Sequence, residues 1–164
     1  MGVKVCKFGG TSLADASQIR KVQSIITSDA TRCYVVPSAP GKRSSEDRKI
    51  TDLLYLCHAH AQQNVPFDDV FALISDRYKQ IISDLGLKLD LSAQLEEAKQ
   101  TIASRAREEN GTADYAASRG EYFSGLILAA LLGYEFIDAQ EVIFFDSRGL
   151  FDAERTQQVL SERL

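Results

Sequence analysis

Lys7-Phe8-Gly9-Gly10-Thr11-Ser12 places a cation, two glycines and two hydroxyls between a strand-like and a helix-like segment. Two glycines let the backbone approach an anion closely, and the amides and dipole of the following helix start supply donors. Lys7 adds a point charge. The chemistry is that of a phosphate cradle, or else of a tight strand-to-helix turn. The spacing is neither that of a Walker A loop nor that of a dinucleotide fingerprint. A second small loop, Ser38-Ala39-Pro40-Gly41, follows the next strand-like run. Ligands of open α/β sheets sit beyond the carboxyl ends of strands, so two such loops on one edge are candidates for a shared site. Turn chemistry alone would also account for it. A third candidate is Ser118-Arg119-Gly120-Glu121, inside a helical pattern. A glycine there costs about 1 kcal/mol against alanine, which points to close approach by a ligand or a neighbouring backbone. Arg119 offers a fork for a carboxylate and Glu121 an acceptor for an ammonium, unless the pair is a solvated surface.

The elements that must position these loops read as follows. Residues 3–8 form a loose strand. A helix over 15–27 carries Ile19, Val22, Ile25 and Ile26 on one face. Residues 32–36 are a near-continuous apolar run, as suits a strand buried on both faces of a parallel sheet. This opening is a βαβ unit. Residues 37–49 are a loop whose mixed-charge tract, Lys42–Lys49, reads as exposed and mobile. Thr51 is expected to cap a helix reaching to 63, with Asp52 in its first turn. Helices follow over 67–85, 91–109 and 113–132, the second stopped by Asn110-Gly111 and the third by Gly133. Strands are expected over 135–139 and 141–145, then a helix over 153–164. That helix ends without a cap or a following strand, so the chain reads as the N-terminal part of something longer.

The 164 residues are 45% hydrophobic and 26% charged, which excludes whole-chain disorder, collagen and coiled coil. Lys and Arg number 19 against 23 Asp and Glu, for a net charge of −4 and a pI near 5.2. No basic block is present, so no nucleic-acid partner is expected. The longest apolar run, 126–132, falls short of the about 20 residues a bilayer needs, and residues 1–7 do not read as a signal peptide. Cys6, Cys33 and Cys57 lack C-x-x-C spacing and read as buried free thiols of a reducing cytoplasm. His58 and His60 read as helix-surface residues. No resident metal site is expected.

The strings K-F-G-G-T-S (7–12), S-A-P-G (38–41), T-D-L-L (51–54) and S-R-G-E (118–121) occur in the order and general spacing of aspartokinase, and the sequence resembles that family along nearly its whole length. The resemblance implies the amino-acid kinase fold, an α/β three-layer αβα sandwich around a mostly parallel sheet, carbamate kinase-like. It implies phosphorylation of the side-chain carboxylate of L-aspartate by ATP, the first step toward lysine, threonine and methionine. Lys7 would be catalytic, neutralising the transferring group. Lys7, Phe8, Gly9, Gly10, Thr11 and Ser12 would bind the ATP phosphates. Ser38, Thr51, Arg119 and Glu121 would bind aspartate, with Glu121 on its amino group. Arg119 stands where the family varies between Arg and His. Mg²⁺ would accompany ATP, held mainly by phosphates and by residues outside this chain. Full-length members form cytoplasmic homo-oligomers. The family's G-R-G-G-S-D segment, its T-D-V-x-G nucleotide region and its ACT domains have no counterpart in these residues. The expectation is therefore an aspartate-binding part of the kinase domain that is inefficient alone. The alternatives are a non-catalytic aspartate-binding or assembly piece, or a related amino-acid kinase acting on another carboxylate.

Overall fold

The structure is a computed structural model that describes residues 2–108 and 112–164. It divides into two compact units, one running to Tyr134 and one spanning Glu135–Leu164. The first unit opens with the expected βαβ arrangement. Strand β1 (Val5–Phe8) pairs in parallel with β2 (Tyr34–Pro37), in the register Val5 to Tyr34 and Phe8 to Pro37. Between them runs α1 (Ala16–Thr27), whose cap residue Asp15 accepts the Gln18 amide at 2.9 Å. Ile19, Val22 and Ile26 form its buried stripe, while Ile25 stays exposed.

This sheet has two strands. The expectation that the strand over 32–36 is buried on both faces is corrected. Phe8 and Val35 pack toward the core, while Val5 and Val36 on the other side remain 69% and 48% exposed. Alternation of the pleat sends neighbours to opposite faces, and only one face of the pair is covered within this unit.

Helix α2 (Ile50–Gln62) starts one residue before Thr51. Lys49 takes the cap position and no side chain caps the helix, so the capping role read for Thr51 does not hold. Asp52 lies in the first turn as expected. The α2 face made by Ile50, Leu53, Leu54, Cys57 and Ala61 is buried and includes His58, which corrects the surface reading of that histidine. Of the cysteines, Cys57 is buried, Cys6 half-buried and Cys33 exposed, all as free thiols.

Helix α3 (Asp68–Leu85) buries Phe71, Ile74, Tyr78, Ile81 and Ile82 at the expected spacing, and also Arg77. Gly86 follows at φ 72°, the left-handed conformation that closes a helix at low cost for glycine. Helix α4 (Ser92–Arg105) buries Leu95, Ala98 and Ile102. The stop expected at Asn110-Gly111 lies outside the described residues. Helix α5 (Asp114–Leu132) ends at Gly133, again with positive φ. The core gathers around α2, which packs on both α3 and α5, and the Tyr78 and Phe123 rings lie 5.1 Å apart. Among the described residues no helix is long and apolar enough to cross a membrane.

The second unit departs from expectation. In place of strands over 135–139 and 141–145, Asp138 accepts the Gln140 amide at 3.0 Å and starts a short helix, α6 (Ala139–Val142). The local cap outcompetes an apolar alternation that has no ladder partner here, because an unpaired strand leaves its backbone groups unsatisfied. Only Phe145 forms a strand-like contact, an isolated antiparallel bridge to Phe151. Helix α7 (Ala153–Arg163) follows, capped by Asp152. Its buried Thr156 accepts the Phe144 amide at 3.0 Å.

Candidate functional site

The first loop leaves β1 at Phe8 and turns at once into a 3₁₀ helix, Gly10–Leu13, closed by Ser12 N donating to Gly9 O at 3.0 Å. The second loop leaves β2, and Ser38 N continues the ladder by donating to Phe8 O at 3.0 Å. The two loops then touch through their glycines. Gly41 N donates to Gly10 O at 2.8 Å. A Cβ on Gly10 would stand 2.8 Å from Ala39 O, and one on Gly41 would stand 2.8 Å from the Gly10 carbonyl carbon. Both glycines are therefore required by loop-on-loop packing. Gly9 is different: nothing lies within 4 Å of a Cβ placed there.

The third motif arrives from α5. A Cβ on Gly120 would stand 2.5 Å from the Ala39 Cβ. The close approach inferred for this glycine is thus to the second loop. With the backbones this near, Glu121 Oε1 accepts the Ala39 amide at 3.2 Å. From β1, Lys7 Nζ donates to Ser38 Oγ at 3.0 Å. Lys7, Ser38 and Glu121, chosen from three distant stretches of sequence, meet around one short loop. Lys7 and Glu121 are both exposed, so a cation and an anion face solvent on either side of Ser38-Ala39.

The other predicted residues fall as follows. Phe8 is half-buried and packs on the core. Thr11 is exposed and Ser12 half-buried in the 3₁₀ turn. Thr51 is half-buried in the first turn of α2, and that helix is tied to the second loop by Ile50 N donating to Pro40 O at 3.2 Å. Arg119 is buried. Its guanidinium lies over the rings of Tyr115 and Tyr122 at 4.6 and 4.5 Å, and it donates to Ser118 Oγ at 3.1 Å. Two positions along a helix point about 200° apart, so Arg119 and Glu121 leave α5 in different directions.

Sequence reasoning missed Arg77 and Asp47. Arg77 Nη2 lies 2.7 Å from both carboxylate oxygens of Asp47. Its Nη1 donates to Gly41 O at 3.2 Å. The charged loop is thus anchored at Asp47, which corrects its reading as wholly exposed, although Lys42–Glu46 do remain so. Arg43, then the loop amides and Arg77, hold the Asp47 carboxyl well below the usual carboxylate range against the cost of burial. The signal available was a lone arginine inside the apolar stripe Ile74-Tyr78-Ile81. Tyr78, whose ionisation burial pushes up, donates its hydroxyl to Gly120 O at 2.8 Å. Among the described residues no group of three or more His, Cys, Asp or Glu is placed to hold a metal.

No family model matches the chain. It is 33% identical to aspartokinase 3 of Bacillus subtilis over 150 residues, covering 91% of this chain and 33% of that protein. The crystal structure of Clostridium acetobutylicum aspartate kinase superposes with a TM-score of 0.92 at 53% identity, covering 99% of this chain and 36% of that one. Escherichia coli aspartokinase III, in complex with aspartate and ADP, superposes with a TM-score of 0.75 at 23% identity, covering 98% and 37%, a likeness of fold alone. The chain spans about a third of the length of the relatives it matches.

Proposed function

We propose that this chain, an aspartokinase relative in both sequence and backbone, forms the aspartate- and phosphate-binding part of an amino-acid kinase domain. In that reading β1 and β2 belong to the parallel sheet of a three-layer αβα sandwich. The reaction transfers the γ-phosphoryl group of ATP to the side-chain carboxylate of L-aspartate. A carboxylate oxygen bonds to the γ-phosphorus as the bond to the bridging oxygen breaks, leaving 4-phospho-L-aspartate and ADP. The nucleophile is already ionised at neutral pH, so no general base is required. Catalysis is then positioning and charge neutralisation.

The meeting of Lys7, Ser38 and Glu121 around one loop carries this reading. Lys7 faces the transferring group, and Gly9, Gly10, Thr11 and Ser12 offer backbone donors and hydroxyls to phosphate. Glu121 takes the substrate ammonium and Thr51 completes the aspartate side, while Arg119, expected there from the sequence, is buried against Tyr115 and Tyr122 and supports α5 instead. Mg²⁺ enters with ATP, held mainly by its phosphates and by residues outside this chain. The place of the reaction at the head of lysine, threonine and methionine synthesis, in a cytoplasmic homo-oligomer, is part of the same proposal.

Hydroxylamine trapping with MgATP and L-aspartate tests it, because the acyl phosphate is captured as a coloured hydroxamate. Colour that disappears in Lys7→Ala supports a kinase. Calorimetric binding of L-aspartate without colour, lost in Glu121→Gln, supports an aspartate-binding part that does not turn over alone. Absence of both aspartate binding and colour overturns the proposal.

A further inference from the structure

Arg77 lies on the apolar side of α3 with 5% of its side chain exposed, and it reaches three separate segments. Its Nη1 donates to Gly41 O in the second loop at 3.2 Å and faces Ala14 O, just after the 3₁₀ turn of the first loop, at 3.5 Å. Its Nη2 grips Asp47 at the end of the charged loop. The next residue, Tyr78, holds the carbonyl of Gly120, one position before Glu121. Consecutive residues of one helix thus bind backbone or side chain of every loop that contributes to the candidate site.

Packing alone does not call for a guanidinium here. An apolar side chain of similar volume avoids the cost of taking a charge out of water. A planar fork, however, meets carbonyls and a carboxylate from different segments at fixed angles, which an ammonium on a flexible stem does not. We infer that Arg77 is a positioning residue: it sets the separation of the two glycine loops and, through them, the Lys7–Ser38 and Ala39–Glu121 pairs. Its consequence for substrate rests on the proposed function. Its geometric content does not.

The test uses the full chain with Arg77→Lys, Arg77→Met and Asp47→Asn, and Ile74→Val as a control whose cost is confined to packing on the same helix. Amide hydrogen exchange is read at Gly41, bonded to Gly10, and at Ala39, bonded to Glu121, beside global stability in urea. In both Arg77 variants these amides are expected to exchange roughly tenfold faster than the change in global stability accounts for, whereas Ile74→Val moves them only with global stability. Asp47→Asn falls between. L-Aspartate affinity is expected to weaken in parallel with the local exchange. Should Arg77→Met fail to fold, Arg77→Lys and Asp47→Asn carry the same comparison. Lysine protecting both amides as arginine does, or amides that only track global stability, overturns the inference. If the exchange behaves as expected but the unaltered protein binds no aspartate, the substrate reading fails and the positioning role stands.

Discussion

Gly120 faces Ala39 so closely that a Cβ on Gly120 would stand 2.5 Å from the Ala39 methyl. This contact brings α5 onto the second loop and delivers Glu121 to the Ala39 amide. Because the obstructing atom is a Cβ rather than the end of a flexible chain, Gly120→Ala must shift backbone. Overpacking typically costs about 1–3 kcal/mol and outweighs the about 1 kcal/mol that alanine contributes to a helix. Gly120→Ala is expected to lower the melting temperature and weaken L-aspartate binding, and the double variant with Ala39→Gly to recover most of both. Thermal unfolding and calorimetry on all three proteins check this. Failure of the pair to recover would show that the contact does not control the loop.

Gly9 and Gly10 should separate by mechanism. Gly10 is walled in by Ala39 O and Gly41 N, whereas Gly9 has open space and an extended backbone at φ −77°. Gly9→Ala should change stability by no more than about 0.5 kcal/mol, as an unstrained exposed substitution does. It should nonetheless weaken MgADP or MgATP binding if a phosphate approaches that backbone. Gly10→Ala should lose stability as well as binding. A Gly9→Ala protein with full nucleotide affinity removes Gly9 from the cradle.

Asp47 has its folded-state pKa depressed, chiefly by Arg43 and further by Arg77. A depressed carboxyl contributes stability above its unfolded pKa, near 3.9, and loses it as pH falls from there toward the folded value. Acidification below about pH 4 should therefore weaken the protein partly through Asp47. Asp47→Asn is expected to cost about 1.5–3 kcal/mol at pH 7, as for a hydrogen-bonded charge, and to flatten the acid limb. Urea midpoints between about pH 2 and pH 7 read both effects.

The three thiols should react in order of exposure. Cys33 is exposed and Cys57 fully buried, with burial pushing the Cys57 thiol up to about 12. Only the thiolate attacks. At about pH 8 a chromogenic disulfide is expected to label Cys33 promptly, and Cys57 only after denaturant is added. Prompt modification of Cys57 in the native protein would show that α2 opens locally.

Helical periodicity made α1, α3 and α5 legible from the residues, with Gly133 marking the end of α5 where a positive φ closes the helix locally; the Asp15 cap and the Gly86 stop emerged only in the structure. The strand-helix-strand opening and the position of both loops at strand ends were readable for the same reason. Lys7, Ser38 and Glu121 could be chosen because their residue types beside glycines suggested chemistry. The Thr51 cap, the surface placement of His58 and the strands after Glu135 failed. Each depended on competition: whether a neighbouring segment covers a side chain, or whether a partner strand accepts a ladder.

Local backbone preference and hydrophobic period are properties of neighbours in sequence, so the sequence by itself determined the elements up to Gly133 and the chemistry-bearing loops. Which glycine packs and which stands open was decided by contacts between segments far apart in the chain. Gly10 meets Gly41, Gly120 meets Ala39, and Arg77 meets Gly41 and Asp47 only once the helices are docked. A close approach and a buried charge are relations between surfaces, and the tertiary structure creates those surfaces by burying the apolar faces around Tyr78 and Phe123.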